Sequence, residues 1–369
     1  MHKLTFFPLG NADSCLMDLE SKAKVLIDYA HTRSGEDDDD PRIDLARVLR
    51  DDLEQAERDY YDVVTFTHAD EDHIRGATDF FELKHAKKYQ GGGRIHIQKL
   101  WVPAEMILEP GLTGEARILQ AEARFRLKQG NDDVRVFSRP DALEEWLADE
   151  GLSLDARRHL ITDAGQPVPG FDSTEVEFFA HSPFSKEVEG VKQQRNAQSI
   201  VIHATFWGGG QRTRLFLGAD TTYDNWQDIV NITEYKDRKE RLEWDVFKLP
   251  HHTSYTSISD EKGKRKTQPV AECARLFAEY GQKGCYLIST SEPIPDEYNR
   301  DLPPHPQTAN YYRDVASGND GEYRVTMEYP TRANPDKMVI EIDSGGACLD
   351  KSALTVGATV TSRPSPRAG

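Results

Sequence analysis

Long apolar runs are missing from this 369-residue chain. No stretch approaches the ~20 consecutive apolar residues that a membrane span needs, so no membrane is expected among its partners. Cysteine is scarce. Cys15, Cys273, Cys285 and Cys348 stand far apart without CxxC spacing, which excludes a disulfide framework and a zinc-thiolate site. Basic residues are also in short supply: 46 Lys and Arg face 63 Asp and Glu, a net charge of −17. A protein that grips a long stretch of nucleic acid usually has a net basic face, so broad binding of that kind is disfavoured, although a local basic patch is compatible with the total. The start, MHKLTFFPLGNADS, has too short an apolar stretch for a signal peptide and no small-residue cleavage site, and a cytoplasmic location is the expectation.

What is present is a succession of short strands and helices. KLTFFPL, SCLMDLE and AKVLIDYA have strand patterns, and Ile43, Leu45, Val48, Leu49 and Leu53 form the apolar side of a helix. YDVVTFTH is a β-branched, aromatic strand that delivers His68 at its end, and DHIRGATDFFELKHAKK has a helical pattern. Residues 84–170 read as a mainly helical insertion. Strand patterns return with TEVEFFAHSPF, AQSIVIHATFWG, TRLFLGAD, WDVFKLP and KGCYLIST. This order predicts an α/β chain with two sheets covered by helices, a single domain over 1–350 and a disordered polar tail over 351–369.

The chemistry concentrates at strand ends. HADEDH packs His68, Asp70, Asp72 and His73 into six residues directly after VVTFT; Asp220 follows RLFLGA, and His251 and His252 follow DVFKLP. A divalent ion needs several deprotonated ligands converging on it from a stiff frame. In a tight loop His68 and Asp70 can face one ion while Asp72 and His73 face another. Asp220 is placed to bridge them, and His251 or His252 to complete the second site. Two ions about 3.5–4 Å apart would brace the attacking and leaving oxygens of a hydrolytic step. Asp13 and Ser14 suit a turn cap, and Asp28 a structural hydrogen-bond acceptor beside the cluster.

These segments together resemble the metallo-β-lactamase fold hydrolases. HADEDH resembles their HxHxDH motif with Asp70 in the second histidine's place, a variant similar to the nuclease-like domain of ComEC competence proteins. PLGNADSCLMDL resembles their strand-GxGDS-strand start, VLIDYA their LIDxG, RNAQSIVI their NxxS strand, LFLGAD their LxTGD, FKLPHHTSYTS their LKxPHHGS, and PPHPQ a late HP element. The likeness spans about residues 4–310, with 84–170 largely outside it. It implies an αββα sandwich of two mixed sheets flanked by helices, and hydrolysis by hydroxide held between two divalent ions; the exchange of an imidazole for the Asp70 carboxylate hardens the site, so that Mn²⁺ or Fe²⁺ stands beside Zn²⁺ as an option. The implied ligands are His68, Asp70, Asp72, His73, Asp220 and, of the 251–252 pair, His251. The family's additional metal histidine corresponds to Asn196–Ser199, where no imidazole stands; His181 in AHSPF is the nearest substitute.

The resulting expectation is a metal-dependent phosphodiesterase or nuclease acting on nucleotides or DNA. Asp72 and Asp220 belong to the catalytic set, with His252 or His305 as the acid. Asn196, Ser199 and the basic string Lys262, Lys264, Arg265 and Lys266 are candidate substrate contacts. Two alternatives stand beside it. One is hydrolysis of a lactone, thioester or amide; the other is a catalytically weak interaction module that docks a protein partner through 84–170.

Overall fold

The computed structural model describes residues 1–35, 37, 39–184 and 198–351. Asn196 and the tail 352–369 lie outside the described residues. The first half runs β1 (His2–Phe6), β2 (Cys15–Asp18), β3 (Lys24–Ile27), α1 (Leu45–Gln55), β4 (Tyr60–Thr65), α2 (Glu71–Ile74) and α3 (Ala77–Phe80). It continues with β5 (His96–Pro103), α4 (Ala104–Leu108), α5 (Gly114–Gln129), β6 (Val134–Phe137), α6 (Asp141–Asp149), α7 (Leu154–Arg157) and β7 (Ile161–Thr162). The second half adds β8 (Gln166–Val168), β9 (Val176–Ser182), β10 (Val201–Gly208), β11 (Gln211–Leu217), α8 (Tyr223–Tyr235), β12 (Trp244–Lys248), α9 (Ala271–Ala278) and β13 (Gly281–Ser289). It closes with α10 (Pro306–Gly318), β14 (Glu322–Val325), β15 (Pro330–Thr331), β16 (Asn334–Pro335), β17 (Met338–Asp343) and β18 (Gly346–Leu349).

The strands form two large mixed sheets, ordered β18-β17-β1-β2-β3-β4-β5-β6-β7 and β14-β13-β12-β11-β10-β9-β8. Each is antiparallel in one half and parallel in the other: β3 to β7 run parallel in the first sheet, and β11 to β14 in the second. Their inner faces meet in one apolar layer, with Phe6, Met17, Val63 and Trp101 from the first sheet against Phe178, Ile202, Leu215 and Val246 from the second. Helices cover the outer faces. Leu49, Leu119, Leu127 and Leu147 pack on the first sheet, and Trp226, Ile229, Leu276 and Tyr312 on the second. The chain is therefore an αββα sandwich, because each sheet's two apolar faces have to be buried on opposite sides.

Two segments differ from the pattern-based expectation. Residues 84–170 do carry α4 to α7, but they also add β5, β6 and β7 to the first sheet, and their apolar residues share one core with α1. The helical pattern after His73 is broken in two by Gly76, which adopts φ +80°, a conformation costly for any residue with a Cβ. None of the helices among the described residues is long and apolar enough to cross a membrane.

Candidate metal centre

The parallel halves of both sheets point their C-terminal ends at the same edge, where open α/β sheets characteristically hold ligands. Asp28 follows β3, Thr67 and His68 follow β4, Asp220 follows β11, His251 and His252 follow β12, and Thr290 follows β13. Asp13 enters from the turn before β2. Its N–H donates to Asp72 O at 2.9 Å, tying the turn between β1 and β2 to the segment that follows β4.

Asp220 is the centre of the arrangement. Its Oδ1 lies 3.3 Å from His73 Nε2; its Oδ2 lies 3.9 Å from His68 Nε2 and 3.8 Å from His251 Nε2. One carboxylate thus faces histidines on two sides. On one side, donor atoms of Asp72, His73, Asp220 and His252 all lie within 4.8 Å of one another. On the other, His68 Nε2 also sits 3.6 Å from Asp70 Oδ2. His251 and His252 therefore part company: His252 Nε2 reaches Asp72 Oδ2 at 3.0 Å, whereas His251 faces the His68 side of Asp220. Left-handed backbone at three successive residues, with φ +46°, +52° and +63° at His251, His252 and Thr253, aims the two rings apart. Such conformations cost on the order of 1 kcal/mol or more each and persist where the surroundings over-determine them.

Hydrogen bonds behind the rings fix which nitrogen faces the cluster. His73 Nδ1 donates to Asp28 Oδ2 at 2.8 Å, and Asp28 also accepts from Thr67 N and Oγ1, both at 2.7 Å. His252 Nδ1 donates to Thr290 O at 2.7 Å. Both rings thus present Nε2 inward, the orientation that metal-binding histidines owe to an outer acceptor. The electrostatics match. Burial disfavours the His73 imidazolium, but Asp28, Asp220, Asp72 and Asp13 outweigh it and raise its pKa well above the ordinary value. Burial likewise opposes charge on His252, yet its bond to Asp72 and the nearby carboxylates raise its pKa. In His68, burial and the neighbouring His73 prevail and lower it.

The residues fit divalent cations on one further observation. His68 Nε2, His73 Nε2 and Asp220 Oδ1 are buried without a hydrogen-bond partner, an arrangement that is costly unless something else satisfies those atoms. Asp70 and Asp72, each about a third exposed, line a cleft of about 490 Å³. Its opposite wall is the turn into α5, with Leu112, Thr113 and Gly114.

The other sequence candidates lie elsewhere. His181 is a correction. Strand alternation turns Phe178 and Ala180 to the inner face and His181 to the outer one, where it stacks on Phe216 and bonds Arg241 O at 3.0 Å. It does not reach the cluster. His305 caps α10, its Nδ1 accepting from Tyr255 N at 3.3 Å, and burial holds its pKa down at about 4. Ser199 is buried beside Ile200, whose N–H donates to Thr67 O at 3.0 Å. Lys262 Nζ is bonded to Arg300 O at 2.6 Å and Lys266 to Asp314 at 2.8 Å, while Lys264 and Arg265 are exposed. This loop lies along 298–314, and none of its four cations bonds to the cluster. Sequence reasoning missed Lys248 and Thr290. A lysine inside the apolar strand VFKL was the available signal.

No family model matches the chain, and no curated protein matches it. Among solved structures it is similar to a metal-dependent hydrolase from Parabacteroides distasonis, with 14% identity, a TM-score of 0.35, and coverage of 87% of this chain and 92% of that one. It is also similar to a diphosphatase of the PhnP family, with 10% identity, a TM-score of 0.34, and coverage of 95% and 100%. The metallo-β-lactamase GOB-18 from Elizabethkingia meningoseptica shares 11% identity over 66% of this chain and 74% of its own, with a TM-score of 0.30. At these identities the likeness is one of fold alone.

Proposed function

We propose that the chain is a metal-dependent hydrolase, with a phosphodiester of small-molecule size, such as a nucleotide, as its substrate. The observation that carries this is Asp220, whose two oxygens face separate groups of histidines and aspartates. His73, Asp72, His252 and Asp220 Oδ1 would hold one divalent ion; His68, Asp70, His251 and Asp220 Oδ2 would hold the other. Bound there, the ions would supply Lewis acidity towards water and towards the ester's oxygens. The protein's own residues set up that chemistry. Asp28 and Thr290 orient the two imidazoles, and Asp70 brings oxygen where the related motif has nitrogen, which favours hard cations such as Mn²⁺ beside Zn²⁺. The cleft alongside Asp70 and Asp72 falls within the ~300–1,000 Å³ usual for small-molecule sites, which supports a nucleotide over a long strand of DNA. The net charge of −17 argues the same way.

The test is hydrolysis of bis-p-nitrophenyl phosphate and of a cyclic mononucleotide by metal-stripped protein resupplied with Mn²⁺, Zn²⁺ or Mg²⁺. Activity that requires metal and vanishes in Asp220→Asn is expected. Metal uptake with hydrolysis of a lactone or thioester, but of no phosphodiester, would move the assignment to acyl bonds. Absence of metal uptake would leave an interaction module.

A further inference from the structure

The side chains of the centre come from two halves of the chain. His68, Asp70, Asp72 and His73 follow β4 of the first sheet; Asp220, His251 and His252 follow β11 and β12 of the second. Before any cation arrives, the carboxylates of Asp70 and Asp72 on one side and Asp220 on the other repel one another across that junction. Groups behind the cluster have to keep the halves in register. Asp13, 1% exposed, is placed for this. Its N–H donates to Asp72 O at 2.9 Å, within the first half. Its carboxylate reaches the second half: Oδ2 accepts from Lys248 Nζ at the end of β12, and Oδ1 from Thr290 Oγ1 after β13.

Both second-half partners stand directly behind residues of the cluster. Thr290 O accepts from His252 Nδ1 at 2.7 Å. Lys248 Nζ lies 3.5 Å from Ala219 O, which also accepts from His251 N at 3.0 Å and belongs to the residue before Asp220. Lys248 is itself only 5% exposed, and lysine is almost never so buried unless it is paired. One carboxylate thus ties the main chain of Asp72 to the supports of His252, His251 and Asp220. We propose that the Asp13–Lys248 pair is a clasp between the two halves of the cage, holding Asp220 and His252 at the spacing from Asp72 and His73 that lets one carboxylate serve two cations. The proposal rests on the two-ion reading above. With both oxygens of Asp13 engaged, the pair acts through other residues, and its members are positioning residues.

The experiment separates holding the cluster in register from satisfying two buried charges. Wild type and variants of the full chain are loaded with Mn²⁺; isothermal titration gives the affinity, and electron paramagnetic resonance gives the coupling between ions. Lys248→Met leaves the Asp13 carboxylate buried without its cation, and is expected to lower both the metal-free thermal midpoint and the affinity. Lys248→Met combined with Asp13→Asn removes both charges, and is expected to regain much of the midpoint because no buried charge is left unpaired. Its affinity is expected to stay about tenfold below wild type's, the lower end for groups behind metal-binding residues, with weakened coupling. If the single variant fails to fold, the double variant carries the test. A double variant with wild-type affinity and coupling overturns the clasp, because the pair would then serve only to neutralise itself. So does a double variant that fails to fold with metal present, since the fold rather than the site would then require the pair. A wild type that binds Mn²⁺ without coupling between ions overturns the two-ion reading instead, and one that binds none overturns the metal reading.

Discussion

Two groups of buried histidines share this molecule and behave in opposite ways. His181 and His203 lie against the outer face of the second sheet, and His73 and His252 lie at the edge where the strand ends of both sheets meet; all four are almost completely buried. The first pair is surrounded by aromatic rings and donates to the carbonyls of Arg241 and Glu243, and burial pushes both pKa values down to about 3. The second pair is surrounded by carboxylates, which overcome the same burial and raise both pKa values. Burial alone therefore makes a histidine a neutral packing residue. The carboxylates around it are what turn a buried imidazole into a place for positive charge, whether proton or metal.

The sharpest way to break the comparison is to remove the carboxylate behind His73. In Asp28→Asn the ring loses its charged acceptor, and Asn can offer its NH₂ to the wrong nitrogen. Outer partners of metal-bound histidines are typically worth roughly 10–100-fold in affinity. A loss towards the upper end, about 100-fold or ~2.7 kcal/mol, is expected because Asp28 also anchors Thr67 beside His68. Isothermal titration of Mn²⁺ or Zn²⁺ into the stripped protein measures it. Affinity unchanged from wild type would mean that the carboxylate does not set the ring's role.

The comparison also shows what the sequence could reveal. HADEDH, LGAD and PHH were legible as a cluster because each follows an apolar strand, and strand ends on one edge converge. His181 also ends a strand pattern, but its side of the sheet depends on the register with β10, which begins only at Val201. The parting of His251 and His252 was hidden because no glycine marks the three left-handed residues. Lys248 and Asp13 are 235 residues apart, so their pairing became visible only once the sheets had met. The hairpin β17–β18, which closes the first sheet beside β1, comes from a segment whose pattern pointed to no particular partner.

Acid titration tests the neutral half of the comparison. A histidine whose pKa is about 3 when folded and ordinary, near 6.5, when unfolded contributes nothing to pH dependence above 6.5. Below that value the unfolded chain takes up the proton and the folded one does not, so stability falls by up to about 1.4 kcal/mol per pH unit until the folded value is reached. In His203→Gln, whose amide can still donate to Glu243 O, the loss in stability between pH 7 and pH 5 should be smaller than wild type's by about 2 kcal/mol. Urea unfolding in the presence of a chelator gives both numbers. Equal losses in the two proteins would show that His203 takes up its proton without unfolding.

The smallest effect concerns how the two groups are held in place. His181 and His203 sit on paired strands, His181 beside a shift in register between β9 and β10, whereas Asp70 to His73 sit on a loop and a one-turn helix. That loop is braced from α5. The Glu115 carboxylate accepts from Gly76 N at 2.7 Å, Thr78 N at 3.0 Å and Thr78 Oγ1 at 3.1 Å, serving as the cap that Gly76 cannot provide for α3. Glu115→Gln keeps the length but replaces one accepting oxygen with an NH₂ that faces backbone N–H groups. It should cost about 1 kcal/mol of stability, and because that strain falls on the turn following His73, it should weaken metal binding several-fold at most. The same substitution should leave the pH dependence assigned to His203 untouched, since that strand is anchored by its own ladder to β9 and β11. A variant that loses metal affinity as severely as Asp28→Asn would instead mean that the loop has no shape of its own. Residues 84–170 would then be as much a part of the centre as the ligands they support.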